Sequence, residues 1–175
     1  MNSHIEIPAP DTKGFLKAVG DLAASFGWRL RSFERDDELA AVAALDHDSS
    51  FEQVLWVFDT KRTFIRCLLV GRGTVAADRE AAILELCARI NDGLAFGCAE
   101  YSFNDRTLVF RDSVQLGYGK MSDLVESTSA RLLDLGSRYA PAVRATLAGS
   151  SPAEAMSRAQ DPLKEVEDGG RSRAD

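Results

Sequence analysis

The segment from Phe64 to Val70 constrains the fold of this chain most, because every residue in it except Arg66 is apolar. Successive side chains of a strand point to opposite faces of a sheet, so this pattern is typical of a central strand that is covered on both sides. Three strand-like segments precede it, separated by short turns: Trp28–Phe33, Leu39–Leu45 and Val54–Phe58. Four such segments in succession predict an antiparallel meander.

Helical periodicity occurs outside the meander. Apolar residues recur on one face of a helix in the ranges 11–27, 75–90 and 122–149. Pro141 lies inside the third range, where we expect a kink or a restart, because proline removes one helix hydrogen bond and clashes with the preceding turn. Residues 151–159 open with the sequence SPAE, a capping box with proline at the first helical position, and predict a short helix.

Cap and turn residues agree with this interpretation. Asp11 or Thr12 is expected to accept the free N–H groups of the first helical turn. The segments Phe96–Phe103 and Thr107–Arg111 flank Asn104-Asp105, a pair that tolerates the positive φ of a tight primed turn, and together they predict a β-hairpin.

The resulting element order is α-β-β-β-β-α-β-β-α-α. Strands in groups, rather than alternating with helices, predict an α+β fold built on an antiparallel sheet. The length of 175 residues suits one domain. We expect an extended N-terminus at residues 1–10, a single domain at residues 11–159 and a disordered tail at residues 160–175.

Charge and cysteine spacing exclude several classes of function. Lys and Arg total 21 against 27 Asp and Glu, whereas a duplex-binding domain carries a basic excess, so we expect no nucleic-acid binding. Cys67, Cys87 and Cys98 form no CxxC pattern and no Cys–His cluster, which excludes structural zinc and indicates reduced thiols in the cytosol. No signal-peptide or membrane-spanning pattern is present, so we expect a cytoplasmic protein that does not bind a membrane.

No catalytic arrangement is recognisable. His47 stands between Asp46 and Asp48, but adjacent residues in a loop point in different directions and do not converge on a site. The glycine-rich stretches at residues 71–73 and 117–120 lack the spacing of a phosphate-binding loop. The sequence therefore predicts a protein that is not an enzyme and that holds neither a metal ion nor a cofactor.

Aromatic side chains provide the predicted partner-binding residues. Trp56 and Phe58 share one face of a predicted strand, and Tyr101 and Phe103 share one face of the predicted hairpin. Such residues belong to the core where helices cover the sheet and to an interface where they do not. Because several strands are apolar on both faces, either helices cover both faces or a second chain does. We predict that these four residues bind a partner and that alanine at Trp56 and Phe58 abolishes association.

The segment from Ala88 to Arg111 resembles the "N…L…G.FE…DG.L.FR" pattern of the bacterial YbjN-domain family, described as sensory transduction regulators. Residues 139–141 and 149–155 are similar to the C-terminal "Y.P…G.SPEEA" pattern of that family, so the similarity extends over residues 12–159. The positions that match the first pattern are Asn91, Leu94, Gly97, Glu100, Leu108, Phe110 and Arg111.

The resemblance implies a fold similar to that of type III secretion chaperones, which are small, acidic, usually dimeric proteins that bind extended segments of other proteins. It implies no catalytic residue. Our first hypothesis is a homodimeric, chaperone-like or regulatory module that binds an unknown partner protein, with strand pairing as a further contact. The alternative is a small-molecule-sensing regulator with a pocket between sheet and helix. A third hypothesis, an enzyme, requires a cleft with converging polar groups.

Overall fold

The structure of this chain is a computed structural model. The predictions for residues 1–10, for residues 161–175 and for His47 lie outside the part of the chain that it describes. Within that part the element order is the predicted one, and the α+β fold class is confirmed. The described residues are 11–46, 49–117 and 119–160.

Six antiparallel strands form one sheet. They are β1 (Leu30–Arg35), β2 (Glu38–Ala44), β3 (Phe51–Asp59), β4 (Phe64–Gly71), β5 (Cys98–Ser102) and β6 (Thr107–Gln115). Their spatial order is β1-β2-β3-β4-β6-β5, so the first four strands are the predicted meander and the hairpin adds β6 beside β4. The prediction that β4 is a central strand is confirmed, and the sheet ends at β1 and β5.

Four α-helices accompany the sheet in the described residues. They are α1 (Thr12–Ser25), α2 (Glu80–Asn91, preceded by a 3-10 turn at Ala77–Arg79), α3 (Met121–Leu147) and α4 (Pro152–Gln160). The Oδ1 atom of Asp11 accepts a hydrogen bond from the N–H of Gly14 at 2.8 Å, which caps α1 as predicted. The predicted capping box of α4 is also confirmed: the N–H of Glu154 donates to Ser151 Oγ at 3.3 Å, and the N–H of Ser151 donates to Glu154 Oε2 at 3.2 Å.

The sequence predicts a kink or a restart at Pro141, and of these two the restart does not occur, because α3 runs through the proline as one helix. Proline costs a helix one backbone hydrogen bond and crowds the preceding turn. Tyr139, Ala142 and Val143 beside it are buried in the core. Tertiary packing therefore keeps the helix continuous at a point where local propensity favours a break.

The β5–β6 hairpin closes through residues 103–106 rather than through a two-residue turn at Asn104 and Asp105. The positive φ, 51°, belongs to Arg106. Longer hairpin loops are most often built around a type I turn. Ser102 Oγ stabilises this one by donating a hydrogen bond to Asp105 Oδ2 at 2.9 Å.

The helices pack on one face of the sheet, which we call the covered face. The indole Nε1 of Trp56 donates a hydrogen bond to Ser129 Oγ on α3 at 2.8 Å, and the ring of Phe58 lies 5.3 Å from that of Phe15 on α1. Trp56 and Phe58 are completely buried in these contacts. The covered-face residues in the core are Leu39, Ala41, Ala43, Val54, Trp56, Phe58, Ile65, Cys67, Leu69, Ala99, Tyr101, Leu108 and Phe110.

No helix in the described part of the chain lies across the opposite face, which we call the open face; α2 only borders it beside β5. The apolar side chains of the open face do not belong to the core cluster on the covered side. The sequence allowed either helices on both faces or a second chain on one of them. The described helices do not cover both faces. An antiparallel sheet with one face in water commonly carries polar residues on that face, and the open face of this sheet follows that pattern at its margins but not at its centre.

Candidate protein-binding surface

The open face is apolar at its centre and charged at its margins. Leu55, Leu68 and Val70 are half-buried on the central strands, and Phe33 on the edge strand β1 is 51% exposed. Contiguous apolar surface of this kind marks interaction sites on globular proteins. The strand register assigns to the open face Arg31, Phe33, Arg35, Glu38, Ala40, Val42, Ala44, Gln53, Leu55, Val57, Asp59, Phe64, Arg66, Leu68, Val70, Cys98, Glu100, Ser102, Thr107, Val109, Arg111, Ser113 and Gln115.

Arg66 shields one part of the open face. Its backbone position is opposite Val57 on β3, and its guanidinium forms an ion pair with Glu38 on β2. The same guanidinium lies 5.6 Å from the centroid of the Phe64 ring. The side chain therefore extends across β3, and Val57 and Ala40 stay buried without a helix above them. Long polar side chains commonly cover apolar surface with their aliphatic stems.

A second polar cluster lies at the β5–β6 end of the open face. Arg111 Nε donates hydrogen bonds to both carboxylate oxygens of Glu100 at 3.1 Å, and Nη2 binds the same carboxylate. Hydrogen bonding by Arg111 is the main reason that the pKa of Glu100 lies below its ordinary value. The Cys98 thiol donates to Glu100 Oε1 at 3.5 Å, and its pKa is raised, first by burial and then by the carboxylate of Glu100. The cluster is thus a fixed ion pair beside a protonated thiol.

A cleft of about 1070 Å³ occupies the part of the open face next to α2. Its floor is formed by Leu55, Leu68, Val70 and Val109, from β3, β4 and β6. The wall beside β5 includes Leu84 of α2, which is partly exposed to solvent. The floor and this wall give the cleft an apolar lining.

The two edges of the sheet differ. At β5, the side-chain amide of Asn91 donates to the carbonyl of Ala99 at 2.9 Å and accepts from the N–H of Ala99 at 2.8 Å. The hydroxyl of Tyr101 donates to Glu80 Oε2 at 3.0 Å, so α2 is attached along this edge. At β1, residues 31–35 are exposed. An exposed edge strand offers its backbone N–H and C=O groups to another strand.

The structure separates the four aromatic residues that were predicted to bind a partner. Trp56 and Phe58 are both 0% exposed beneath the helices. Tyr101 is also buried, and Phe103 alone of the four is largely exposed, with its ring 5.0 Å from that of Tyr101. Because a completely buried side chain cannot touch a partner of the folded protein, the prediction for Trp56 and Phe58 is corrected: both are core residues.

Sequence reasoning missed Leu55 and Val57, which lie on the same strand and point to the open face. A signal for them was present. Gln53 and Asp59 occupy the two ends of that face of β3, and Arg66 is the one polar residue within the apolar run of β4. Because residues an even number apart on a strand share a face, these three polar residues mark the face that meets water.

Cys67 and Cys87 are buried thiols. The Sγ atom of Cys67 lies 3.9 Å from Ser129 Oγ, and burial raises the pKa of Cys67 to about 12. Burial likewise raises the pKa of Cys87, on α2, to about 11. Because the thiolate is the reactive form, neither residue is prepared to act as a nucleophile.

The loop at residues 71–73 is held by hydrogen bonds of the fold. Thr107 Oγ1 lies 3.1 Å from the carbonyl oxygen of Gly71 and 3.2 Å from that of Gly73, and donates to this pair of acceptors. These carbonyl groups are acceptors, whereas a phosphate requires donors. In the described ranges no three His, Cys, Asp or Glu side chains are grouped to hold a metal ion. No helix in the same ranges has both the length and the apolar character needed to cross a membrane.

A smaller cavity of about 400 Å³, which is also open to solvent, lies between α3 and the sheet. Trp28, Phe51 and Leu133 contribute apolar walls. At its rim, Arg144 Nη1 donates a hydrogen bond to Ser50 Oγ at 2.6 Å. This cavity is the structural counterpart of the alternative hypothesis, a small-molecule pocket between sheet and helix.

Comparisons with known proteins bear on the fold. No protein-family model matches the chain, and no curated protein matches it. A chain in the crystal structure of the ExsC–ExsE complex is similar, with a TM-score of 0.55 and 16% sequence identity, over 74% of this chain and 93% of that chain. At this identity the likeness shows the fold alone. The predicted type III secretion chaperone-like architecture, an α+β fold with an antiparallel sheet, is confirmed.

Proposed function

We propose that this chain is a non-enzymatic, chaperone-like or regulatory protein-binding module that acts in the cytoplasm as a homodimer and is related to the YbjN-domain proteins. The open face carries the proposal, because apolar side chains lie across its central strands with no helix of the described chain above them. Surface of this kind is retained where another protein covers it. The fold also supports the proposal, since a chain of similar fold is part of the ExsC–ExsE complex.

Binding buries apolar side chains of the partner against the floor of the open face. Leu55, Leu68 and Val70 provide this floor. A standard interface buries about 1,600 Å² in total, and a few large side chains dominate its affinity. Phe103, exposed at the end of the hairpin and supported by Tyr101 beneath it, is the proposed aromatic anchor.

The second copy of the chain is proposed to meet the first at β1. Phe33 is half exposed on the open face of this strand, and the strand edge is uncovered from residue 31 to residue 35. Two β1 strands paired antiparallel about a two-fold axis place both Phe33 side chains on the same face of a continuous sheet. The apolar contact and the backbone pairing then support each other.

Light-scattering mass on a sizing column, measured over a range of protein concentrations, tests the homodimer. We expect a mass twice the 19.1 kDa of one chain. Phe33→Lys is expected to reduce the mass to that of one chain, because burying an unpaired ammonium in the contact is unfavourable. Leu147→Lys is the matched control, since Leu147 is 38% exposed at the end of α3. A monomeric wild type, or a Phe33→Lys variant that stays dimeric, contradicts the proposed dimer.

The second candidate function is small-molecule sensing, which is favoured by the cavity of about 400 Å³ between α3 and the sheet. A ligand present at a hundredfold excess over its Kd stabilises the folded state by about 2.7 kcal/mol. A screen of metabolites by thermal unfolding measures this shift. Ser137→Phe, which places a ring in the cavity, is expected to abolish it. The absence of a shift for every metabolite counts against this function.

A further inference from the structure

We propose that the cleft beside α2 takes an extended segment of the partner in which apolar side chains alternate with lysine or arginine. This inference rests on the proposed protein-binding function and names the chemistry of the partner. The apolar residues of the proposed segment are inferred from the floor of the cleft, which consists of Leu55, Leu68, Val70 and Val109. Burying apolar groups against such a floor is favourable in proportion to the area removed from water.

The acidic charge of the cleft is the reason that we propose basic residues in the partner segment. Among the described residues that line it, every charged side chain is acidic: Glu52, Glu100 and Asp105. Glu100 is already bonded to Arg111, whereas Glu52 and Asp105 are exposed at opposite ends of the cleft. Opposite charges at the rim of an interface determine which partner binds and how fast it associates. An acidic rim around an apolar floor therefore favours a segment that carries cations beside its apolar residues.

The dimensions of the cleft fit an extended segment. The cleft crosses β3, β4, β6 and β5. Neighbouring strands lie about 4.8 Å apart, so the crossing is about 14 Å long, which about four to five extended residues cover at about 3.3 Å each. Alternate side chains of an extended segment point to opposite sides. One set reaches the floor, and the long Lys or Arg side chains of the other set point away from it, at the mouth of the cleft where Glu52 and Asp105 are exposed.

The shape of the cleft argues against a small molecule, and the covered β5 edge argues against an added strand. Small-molecule sites enclose most of the ligand, whereas this cleft is open to solvent. Strand addition at β5 is obstructed, because Asn91 occupies both backbone groups of Ala99. Recognition in the cleft is therefore by side chains rather than by backbone pairing.

Selection from a random peptide library displayed on phage, against the immobilised full chain, tests the inference. We expect the enriched peptides to be net positive, with apolar residues at every second position. A synthetic peptide of the consensus sequence is then compared with a twin in which each Lys and Arg is changed to Glu. The twin is expected to bind at least about tenfold more weakly at low salt.

Variants of the cleft separate the contributions of charge and floor. Glu52→Gln combined with Asp105→Asn is expected to weaken the basic peptide about tenfold and to remove most of its salt dependence. Glu126→Gln combined with Asp21→Asn makes the same change of charge at exposed helix positions and is expected to have no effect. Leu68→Ser, with its folding checked by an unfolding curve, is expected to abolish binding.

Three outcomes overturn the inference: no enrichment, enrichment of neutral or acidic peptides, or equal binding of the charge-reversed twin. Equal binding of the twin together with loss of binding in Leu68→Ser overturns the basic pattern and leaves protein binding by the cleft in place. Unchanged binding in Leu68→Ser overturns the cleft as the site. The light-scattering mass tests the proposed homodimer independently of every one of these results.

Discussion

The two faces of the sheet carry similar residues in different surroundings. On β3, Trp56 points to the covered face and is completely buried, whereas its neighbours Leu55 and Val57 point to the open face. On the covered face helices pack against the apolar side chains, and on the open face long side chains such as Arg66 provide the cover. Hydrophobicity alone does not decide burial in this protein, because burial depends on the helices above one face and on long polar side chains above parts of the other.

The comparison predicts unequal costs for neighbouring substitutions on β3. Trp56→Ala is expected to reduce the free energy of unfolding by about 3–5 kcal/mol, because it leaves a cavity and removes the hydrogen bond to Ser129. Leu55→Ala is expected to cost about 1 kcal/mol or less, since the side chain is only half-buried. Urea unfolding of the two variants measures both values. Equal costs show that the open face is part of the core and contradict the division into two faces.

Two helical glycines test how closely the helices pack on the covered face. A Cβ atom added at Gly136 on α3 would lie 2.2 Å from Leu69 Cδ2 and 3.2 Å from Phe51 Cε2. Gly136→Ala is therefore expected to destabilise the fold by about 1–3 kcal/mol through overpacking.

Gly20→Ala is the matched control on α1, because an added Cβ meets nothing within 4 Å there. It is expected to stabilise the protein by up to about 1 kcal/mol through helix propensity. Thermal unfolding of both variants tests whether the two substitutions change the stability in opposite directions. A stable Gly136→Ala variant places α3 farther from the covered face than the structure shows.

The smallest expected effect concerns the ion pair on the open face. The pKa of Glu100 is lowered in the folded protein, so its charged form stabilises the fold above the unfolded-state pKa, which is about 4.3. This stabilisation is lost as the pH falls through the folded-state pKa. Because the pair is partly exposed, Glu100→Gln is expected to cost well under about 1 kcal/mol at neutral pH.

The difference between wild type and Glu100→Gln is expected to shrink as the pH is lowered below about 5, where the Glu100 carboxylate of the unfolded chain begins to take up a proton before that of the folded protein does. Urea unfolding of both proteins from pH 7 to about pH 3 measures it. In an Arg111→Met background the pH-dependent part of the difference is expected to disappear, because Arg111 is its main cause. A difference that stays constant with pH contradicts the assignment.

Much of the fold could be predicted from the sequence because local signals and the global arrangement agree. The Asp11 cap and the capping box at Ser151 both occur where the sequence places them. Pro141 and the turn of the β5–β6 hairpin are exceptions. Helix α3 continues through the proline, where tertiary packing overrides a local preference, and the positive φ belongs to Arg106 rather than to Asn104 or Asp105.

The candidate binding surface was harder to predict, because both faces of β3 and β4 are apolar. Size and aromatic character favoured Trp56 and Phe58, which the helices bury. Periodicity separates two faces but does not say which face the helices cover. Only the polar residues at Gln53, Asp59 and Arg66 distinguish the open face, and each is a weak signal by itself.

The two hydrogen bonds between the Asn91 side chain and the backbone of Ala99 also bear on how large an assembly of the proposed kind can become. Head-to-tail contacts that do not close on themselves continue into fibres, and a sheet with two open edges can extend in this way. In the described sheet Asn91 of α2 occupies the backbone groups of Ala99 on the β5 edge, so the proposed pairing through β1 would use the edge that stays open in each chain. Strand pairing would then be complete at two copies. In that proposed dimer, the amide side chain of Asn91 would oppose the addition of a third strand beside Ala99.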